Sequence, residues 1–259
     1  MAELVHEAAR AGPVPGLSSL RRIAIVPAYN EEASVGRIIA DVRDFDPGMD
    51  VVVVDDGSHD RTAGIADDAG AHVLRLPFNL GIGGAVQTGF RYAFEHGYDV
   101  AVRLDGDGQH SAAELAKILA PVVSGEADLV VGTRFGGTAG GEFRSTPVRR
   151  IGIRFFAWIV SRLVRQRVTD TTSGFQAVGR RGIALFAADY PHDYPEVEAT
   201  VMVARARLRL REVPVVMHER AEGRSSITAL RSVYYVAKVT LALFIGLFRR
   251  ATTPLEEHE

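Results

Sequence analysis

The chain has 259 residues, 47% of them hydrophobic and 24% charged, with no cysteine and a formal net charge of −2. This composition is typical of a globular protein and excludes disordered, collagenous and disulfide-stapled classes, thiolate metal sites and cysteine nucleophiles. The net charge combines two opposed parts, since residues 1–141 carry 20 Asp and Glu against 11 Lys and Arg, whereas residues 142–259 carry 12 against 19.

The chain divides by pattern into three parts. Residues 1–20 lack a basic stretch followed by an apolar one, so we predict a flexible lead-in rather than a signal peptide. Residues 21–230 are expected to form one domain, and residues 231–259 an apolar C-terminal helix and tail. No uninterrupted apolar run reaches the roughly 20 residues needed to span a bilayer. The pattern therefore favours a protein kept in the cytoplasm.

Short β-branched runs alternate with helical patterns through the first half of the chain. Near-continuous apolar runs such as residues 51–54 indicate strands buried on both faces of a sheet. The alternation predicts βαβ units, and hence an α/β fold with a doubly wound, mainly parallel sheet and flanking helices. The predicted strands are Ile23–Pro27, Val51–Asp55, His72–Leu76, Val100–Leu104 and Asp128–Gly132.

Capping residues mark where the intervening helices should begin. Asn30 and Ser58 are each expected to cap a helix, because both residue types accept hydrogen bonds from the first free backbone amides. Ser111 with Glu114 matches the capping box S-x-x-E.

Polar or glycine-rich loops follow the first four predicted strands. In a doubly wound sheet the ligand lies outside the carboxyl ends of the strands, where such loops meet. We therefore expect the four loops to converge on one crevice. They are residues 27–31, 55–58, 79–85 and 105–110.

The fourth loop carries two carboxylates, Asp105 and Asp107, and we expect no Lys or Arg close in sequence to offset their charge. Their mutual repulsion would be relieved by a divalent cation, and carboxylate oxygens suit Mg²⁺ or Mn²⁺. Gln109 and His110 could supply a further ligand or a supporting contact. The alternative is a solvated acidic turn. An EF-hand is disfavoured because its sixth position would be His110 instead of glycine.

The second and third loops each allow two interpretations. The glycines at 81, 83 and 84 do not fit the dinucleotide motif, which would need glycine in place of Val86. They could let the backbone approach a nucleotide, or simply open a helix. Asp55 and Asp56 could belong to a turn, or could bind a base or ribose.

Seven separately placed segments follow one another in a characteristic order between residues 21 and 230. Together they resemble the family 2 glycosyltransferases with the GT-A fold, and within them the polyprenyl-phosphate, dolichyl-phosphate mannose synthase-like branch. The segments are IVPAYNEE (25–32), VVVVDDGSHDRT (51–62), NLGIGGAVQTGF (79–90), LDGDGQH (104–110), VVGTRF (130–135), DTTSGFQA (170–177) and HERAEGRSSI (218–227).

This resemblance implies roles for individual residues. Asp107 and Gln109 resemble ligands of a catalytic Mg²⁺ or Mn²⁺. Arg134, with Arg149 or Arg150, is similar in placement to arginines that clamp an acceptor phosphate. The branch commonly has Lys after the serine of R-x-x-G-x-S, whereas this chain has Ser226, which leaves Arg224 as the alternative cation. The residues implied to bind the nucleotide-sugar are Pro27, Tyr29, Glu31, Asp55, Asp56, Gly83, Asp105, Arg220 and Ser225.

The implied reaction is inverting transfer of a sugar from a nucleotide-sugar to a polyprenyl phosphate. The implied catalytic residues are Asp105 and Asp107, joined by Asp170 and Glu196 or its neighbour Glu198, which resemble the base of relatives with hydroxyl acceptors. A phosphate acceptor needs no base, since a phosphate monoester already carries a charge of about −1.5 to −2 at pH 7. Two alternatives are a transferase acting on saccharide hydroxyls and a non-catalytic nucleotide-sugar-binding scaffold.

Two later segments suggest a membrane or a partner. Residues 143–169 contain seven arginines and no acid, and on a helix four of the arginines share an arc of about 120° opposite apolar residues. That pattern favours a helix on anionic lipid at the inner membrane face; an ordinary solvated arginine face is the alternative. The apolar residues 234–248 would contact the membrane, a membrane partner, a second subunit or their own domain. Nucleic acid is disfavoured.

Overall fold

The computed structural model describes residues 14–133, 158, 160–162, 168–170, 173–192, 195–217 and 253–256. The strands in these residues are β1 (Arg22–Ala28), β2 (Asp50–Asp55), β3 (His72–Arg75), β4 (Val100–Arg103), β5 (Leu129–Thr133), β6 (Gln176–Gly179) and β7 (Leu210–Pro214). The helices bounded within them are α1 (Val35–Phe45), α2 (Thr62–Asp68), α3 (Gly81–Glu95), α4 (Leu115–Val123), α5 (Arg180–Ala188) and α6 (Pro195–Arg205), with 3₁₀ turns at Leu17–Ser19 and Ala112–Glu114.

The strands form one sheet in the order β3-β2-β1-β4-β6-β5-β7. Strand β6 runs antiparallel to both of its neighbours, and the other neighbouring pairs are parallel. The predicted mainly parallel α/β sheet is confirmed. Its central strands end on the same edge, so the loops after β1, β2 and β4 lie side by side.

Both faces of the sheet are buried. In β1, Ile23 and Ile25 pack with α3, α5 and α6, whereas Ala24 and Val26 pack with α1 and α4 on the other side. This alternation follows from the two-residue period of a strand. Each fully buried Ile or Val contributes about 1.5–3 kcal/mol. The helix-sheet-helix sandwich therefore holds the strand ends rigidly.

All five predicted strands are confirmed to within one residue at each end. The sequence patterns did not reveal β6 and β7. Strand β6 is short and does not alternate apolar with polar residues, and β7 is an edge strand that ends in Pro214 and has two adjacent charged residues, Arg211 and Glu212, at its centre.

The predicted helix starts at Asn30 and Ser58 are wrong. Helix α1 begins at Val35, and Asn30 has a positive φ of 55°. Ser58 Oγ instead accepts a hydrogen bond from the Asn30 backbone amide at 2.9 Å, which ties the first two strand-end loops together. Ser111 does precede a 3₁₀ turn, but its side chain makes no capping bond.

The folded part begins before residue 21, where the sequence pattern placed its boundary. Val14 and Leu17 are buried in the core. Near the other end, the Leu255 amide donates a hydrogen bond to the Ala184 carbonyl at 3.2 Å, so residues 253–256 lie against α5. Across the described ranges, no helix is long and apolar enough to cross a membrane.

A mostly buried ion pair joins β1 to the end of α1, and it leads to a prediction. Arg22 Nη2 donates to Asp46 Oδ1 at 2.9 Å, and this hydrogen bond lowers the pKa of Asp46 below its ordinary value. We expect Asp46→Asn to lower the free energy of unfolding by about 1–3 kcal/mol at pH 7. Because the folded-state pKa is depressed, the wild-type advantage is present above about pH 4 and disappears as the pH falls below it.

Urea unfolding of both proteins between pH 7 and pH 3 measures this difference. Asp44→Asn is the matched control, because Asp44 lies on the same helix but is exposed. The control should stay within about 0.5 kcal/mol of wild type. A difference between wild type and Asp46→Asn that persists unchanged at pH 3 would contradict the assignment.

Candidate functional site

A pocket of about 350 Å³ opens at the carboxyl edge of the sheet. All four predicted strand-end loops contribute to it, together with the first turn of α6, so the predicted convergence is confirmed. We call it the strand-end pocket; it is lined by Pro27, Ala28, Tyr29, Glu31, Asp56, Asn79, Gly81, Ile82, Ala85, Arg103, Asp105, Gly106, Asp107 and Glu196.

Seven of the residues singled out in the sequence are brought together here. They are Pro27, Tyr29, Glu31, Asp56, Asp105, Asp107 and Glu196. Tyr29 is 44% exposed, so its ring can still receive a planar ligand. Ser34 Oγ lies 2.6 Å from the Gly106 carbonyl oxygen and 3.0 Å from a carboxylate oxygen of Glu31, so it lies between the first and fourth strand-end loops.

Asp56 joins the second strand-end loop to the third. Its carboxylate accepts hydrogen bonds from the backbone amides of Leu80, at 2.7 Å, and Gly81, at 3.0 Å. These amides lie at the N-terminus of α3, where a negative charge is favourable. Gly57 beside it has φ +74°, and a Cβ there would lie 3.0 Å from the Asn79 amide. The contact of the two loops therefore requires glycine.

Asp55 and Gly83 lie outside the lining of the strand-end pocket. Asp55 is buried and accepts a hydrogen bond from the Ser58 amide at 3.0 Å. A Cβ on Gly83 would lie 2.3 Å from the carbonyl oxygen of Pro191. The structure thus shows a turn contact for Asp55 and close helix packing for Gly83.

Asp105 is held from two sides. Arg103 Nη2 donates to its Oδ1 at 3.1 Å. The Asp105 backbone amide donates to His110 Nδ1 at 3.0 Å, which requires that this nitrogen carry no proton. His110 is buried and stacks on Phe175, with ring centroids 4.9 Å apart. Of the two roles left open for His110 in the sequence, these contacts favour support of the loop.

Arg103 is the residue that sequence reasoning missed. It stands two positions before Asp105, and residues two apart in a strand project from the same face. The expectation that no Lys or Arg close in sequence offsets the charge of Asp105 is therefore wrong, because Arg103 contacts its carboxylate. Burial opposes the charge of Arg103, but the carboxylates of Asp105 and Glu196 outweigh burial and raise its pKa. An arginine inside the apolar run 100–104 was the available signal.

Asp107 lines the strand-end pocket from the fourth strand-end loop. Its Oδ1 accepts a hydrogen bond from the Gln109 amide at 3.0 Å, and Gln109 itself is not part of the lining. Within the residues that can be described, no group of three His, Cys, Asp or Glu side chains could hold a metal alone. A bound substrate could complete the ligands of a metal here, which is the usual mode for Mg²⁺ bound to phosphates.

Of the acidic residues predicted in the later part of the chain, Glu196 lines the strand-end pocket, whereas Asp170 and Glu198 do not. Glu196 lies in the first turn of α6 and accepts a hydrogen bond from Arg103 Nη2 at 2.8 Å. Asp170 is buried away from the lining, and its amide donates to Glu212 Oε1 at 2.9 Å. Glu198 is half-buried and also outside the lining.

Five predicted residues lie outside the described ranges: Arg134, Arg149, Arg150, Arg220 and Ser225. Part of the basic segment 143–169 is described. Val160 is buried in the core, whereas Trp158 is 59% exposed and the guanidinium of Arg162 lies 5.8 Å from its ring centroid. The buried Val160 and the exposed Arg162 lie as that pattern predicts, and most of the predicted helix lies outside the described residues.

The family and the fold now follow from comparison with known proteins. Residues 23–186 match the model of glycosyl transferase family 2, so the chain belongs to this family and is a glycosyltransferase. Its fold is similar to that of glucosyl-3-phosphoglycerate synthase from Mycobacterium tuberculosis in complex with Mn²⁺, UDP and product. The TM-score is 0.67 at 19% identity, over 90% of this chain and 81% of the other. The predicted GT-A fold is confirmed.

Curated relatives point to a branch of the family. The chain is 36% identical to undecaprenyl-phosphate mannosyltransferase from Micrococcus luteus, over 81% of this chain and 88% of that one. It is 33% identical to polyprenol monophosphomannose synthase from Mycolicibacterium smegmatis, over 80% and 81% respectively. The branch suggested by the seven segments is therefore confirmed.

Proposed function

We propose that this glycosyltransferase moves a sugar from a nucleotide-sugar to a polyprenyl phosphate, with inversion at the anomeric carbon. The observation that carries the proposal is the strand-end pocket, where Asp105 and Asp107 face the residues expected around a nucleoside. The names of the relatives support the acceptor class. In the reaction, an acceptor phosphate oxygen bonds to the anomeric carbon while the bond from that carbon to the nucleoside diphosphate breaks.

The charge of the pocket supports the need for a divalent cation. Among the described residues, five carboxylates and one guanidinium line it, and this part of the lining repels a negatively charged diphosphate. The hard oxygen donors of Asp107, with those of Asp105, fit Mg²⁺ or Mn²⁺. Such an ion, when bound, would stabilise the charge that develops on the leaving diphosphate. We keep Gln109 as a proposed further ligand.

The chain's own residues would position the donor. Pro27 and Tyr29 offer apolar contact to the nucleoside, and the buried carboxylate of Asp56 fixes the loop that faces it. Glu31 offers acceptor oxygens for ribose or base. Asp55 and Gly83 would not touch the donor themselves and would support the loops that do. We propose that Arg220 and Ser225, with Arg224, close over the diphosphate.

The acceptor is expected to need cations rather than a base. Because its phosphate is already ionised near pH 7, no proton must be removed from it. The burial of Asp170 away from the strand-end pocket supports this view. We propose Arg134, with Arg149 or Arg150, as the clamp on the acceptor phosphate.

A polyprenyl acceptor lies in a bilayer, so we propose peripheral contact of the enzyme with the cytoplasmic membrane face. The exposed Trp158 beside Arg162 supports this, since tryptophan and arginine suit the boundary between lipid and water. The apolar residues 234–248 are proposed to assist, through the membrane, a membrane partner or a second subunit.

The test is a transfer assay with purified protein, Mg²⁺ or Mn²⁺, a panel of UDP- and GDP-sugars, and two acceptor types, a short polyprenyl phosphate and saccharides. A lipid-linked sugar formed only from polyprenyl phosphate supports the proposal. Product from saccharide acceptors alone would instead establish a saccharide transferase. Tight nucleotide-sugar binding without turnover of any donor would establish a scaffold.

A further inference from the structure

A buried arginine lies beneath the strand-end pocket and joins three elements of the fold. Arg103, the last residue of β4, is 1% exposed. Its Nη2 donates to Asp105 Oδ1 at 3.1 Å and to Glu196 Oε1 at 2.8 Å, and its Nη1 donates to Tyr190 Oη at 3.1 Å. One guanidinium thus links the D-x-D loop, the first turn of α6 and the segment after α5.

We propose that Arg103 is a positioning residue that sets the spacing of Asp105 and Glu196, and that Glu196 serves as an orienting carboxylate and not as a general base. The inference rests on the proposed function, because it assigns roles within the same site. Asp105 follows β4 and Glu196 lies in α6, so the two are far apart in the chain and only packing brings them close. Without the cation between them, their carboxylates would repel each other across a poorly screened interior.

The surroundings of Arg103 fix its position. Tyr190 is fully buried, and burial raises the pKa of its hydroxyl to about 12, so it remains a neutral acceptor for Arg103. Its ring packs against Phe90 and Phe186, with centroids 5.7 Å and 5.0 Å away. The guanidinium is therefore anchored to a rigid aromatic cluster of the core.

The backbone at Gly174 lies close to both Arg103 and Asp105. A Cβ on Gly174 would lie 2.7 Å from both carboxylate oxygens of Asp105 and 2.9 Å from Arg103 Nη2. No room is left for either side chain to move towards residue 174. The carboxylate of Asp105 is consequently confined between Arg103 and this segment.

Arg103 is not arranged for stability alone. Among the described residues, its Nε has no hydrogen-bond partner although it is fully buried, and burying such a donor is unfavourable. A planar guanidinium can contact two carboxylates at fixed angles, whereas a lysine ammonium is a point charge on a flexible stem. Burying this donor without a partner lowers the stability of the fold. Retaining the arginine is therefore consistent with selection for the placement of two carboxylates.

The test compares Arg103→Lys, Glu196→Gln, the double variant and Tyr190→Phe. We expect Arg103→Lys to lower kcat about 10²-fold with a nearly unchanged KM for the nucleotide-sugar, because small misplacements of reacting groups have effects of that size. Glu196→Gln should lower kcat less and leave the pH profile of kcat unchanged. The double variant should match Arg103→Lys, since both changes act through one contact. Tyr190→Phe keeps both carboxylate contacts but removes the acceptor for Arg103 Nη1, so it should lower kcat by less than Arg103→Lys does.

Three results would overturn the inference. They are wild-type kcat in Arg103→Lys, multiplicative effects in the double variant, and loss of the acidic limb of the pH profile in Glu196→Gln, which would mark a general base. Thermal unfolding shows which variants are folded, and Glu196→Gln remains informative if Arg103→Lys is not. Each kcat is also measured as hydrolysis of the donor without acceptor. If wild type hydrolyses donor but does not glycosylate polyprenyl phosphate, the proposed function fails while the comparison still decides the role of Arg103.

Discussion

Asp107→Ala is expected to lower kcat by about 10³-fold or more while leaving the fold intact. Asp107 lines the strand-end pocket, and its Oδ1 accepts a hydrogen bond from the Gln109 amide within its own loop. Thermal unfolding of the variant beside wild type separates a loss of catalysis from a loss of stability. The loss in rate follows from the loss of electrostatic stabilisation of the leaving diphosphate, which is commonly the largest single contribution to catalysis. Transfer of labelled sugar under saturating Mn²⁺ measures it.

The control is Asp68→Ala, which removes an exposed carboxylate at the end of α2, outside the pocket lining. It should keep wild-type kcat and the wild-type response to Mn²⁺. Calorimetry should show that UDP or GDP binds wild type more tightly with Mn²⁺ than with EDTA, and that this difference is lost in Asp107→Ala. A variant at position 107 that turns over at the wild-type rate would rule out the assignment.

Gly174→Ala is expected to lower kcat about 10²-fold. The added Cβ would lie 2.7 Å from both carboxylate oxygens of Asp105, a distance at which something must shift. Asp105 is held on its other side by the buried Arg103, so the carboxylate must leave its place relative to the pocket. Steady-state kinetics should show the loss mainly in kcat.

Gly64→Ala is the matched control for this change. A Cβ on Gly64, inside α2, meets nothing within 4 Å. Alanine there should raise the free energy of unfolding by up to about 1 kcal/mol, because glycine weakens a helix interior, and kcat should not change. Equal activity of Gly174→Ala and Gly64→Ala would show that Asp105 does not need its present position.

The strand framework could be predicted because it depends on local pattern. Continuous apolar runs such as residues 51–54 can be satisfied only by burial on both faces of a sheet. The polar loops after β1 to β4 then had to meet at one edge, since parallel strands end together. Strand β6 escaped prediction because its pairing with β4 and β5 is antiparallel and non-local, and its four residues have no periodic signature.

The place of a residue in the pocket was predictable from the sequence where it follows a strand. It was not predictable where it depends on a contact with a residue distant in the chain. Asp105, Asp107 and Asp56 follow strands directly. The contact between Arg103 and Glu196 joins residues 93 positions apart, and it exists only once α6 packs on the sheet. The packing of Gly83 against Pro191 is equally non-local, so the sequence alone left a nucleotide contact and a packing contact both open for it.

The unequal charge of the two halves of the chain now has a partial structural basis. Four of the five pocket carboxylates come from residues 1–141, and Glu196 is supplied by the later half. The proposed acceptor arginines belong to the segment around residues 134–150. The acidic half thus forms most of the expected donor site, and the proposed acceptor site draws on the basic half.

The most direct measurement is the structure of the product formed from a labelled nucleotide-sugar and a short polyprenyl phosphate. Mass spectrometry and NMR of the isolated lipid give the linkage and the anomeric configuration. We predict a sugar joined through the phosphate oxygen, with the configuration opposite to that in the donor. A sugar attached with retained configuration, or the appearance of free sugar alone, would contradict the account.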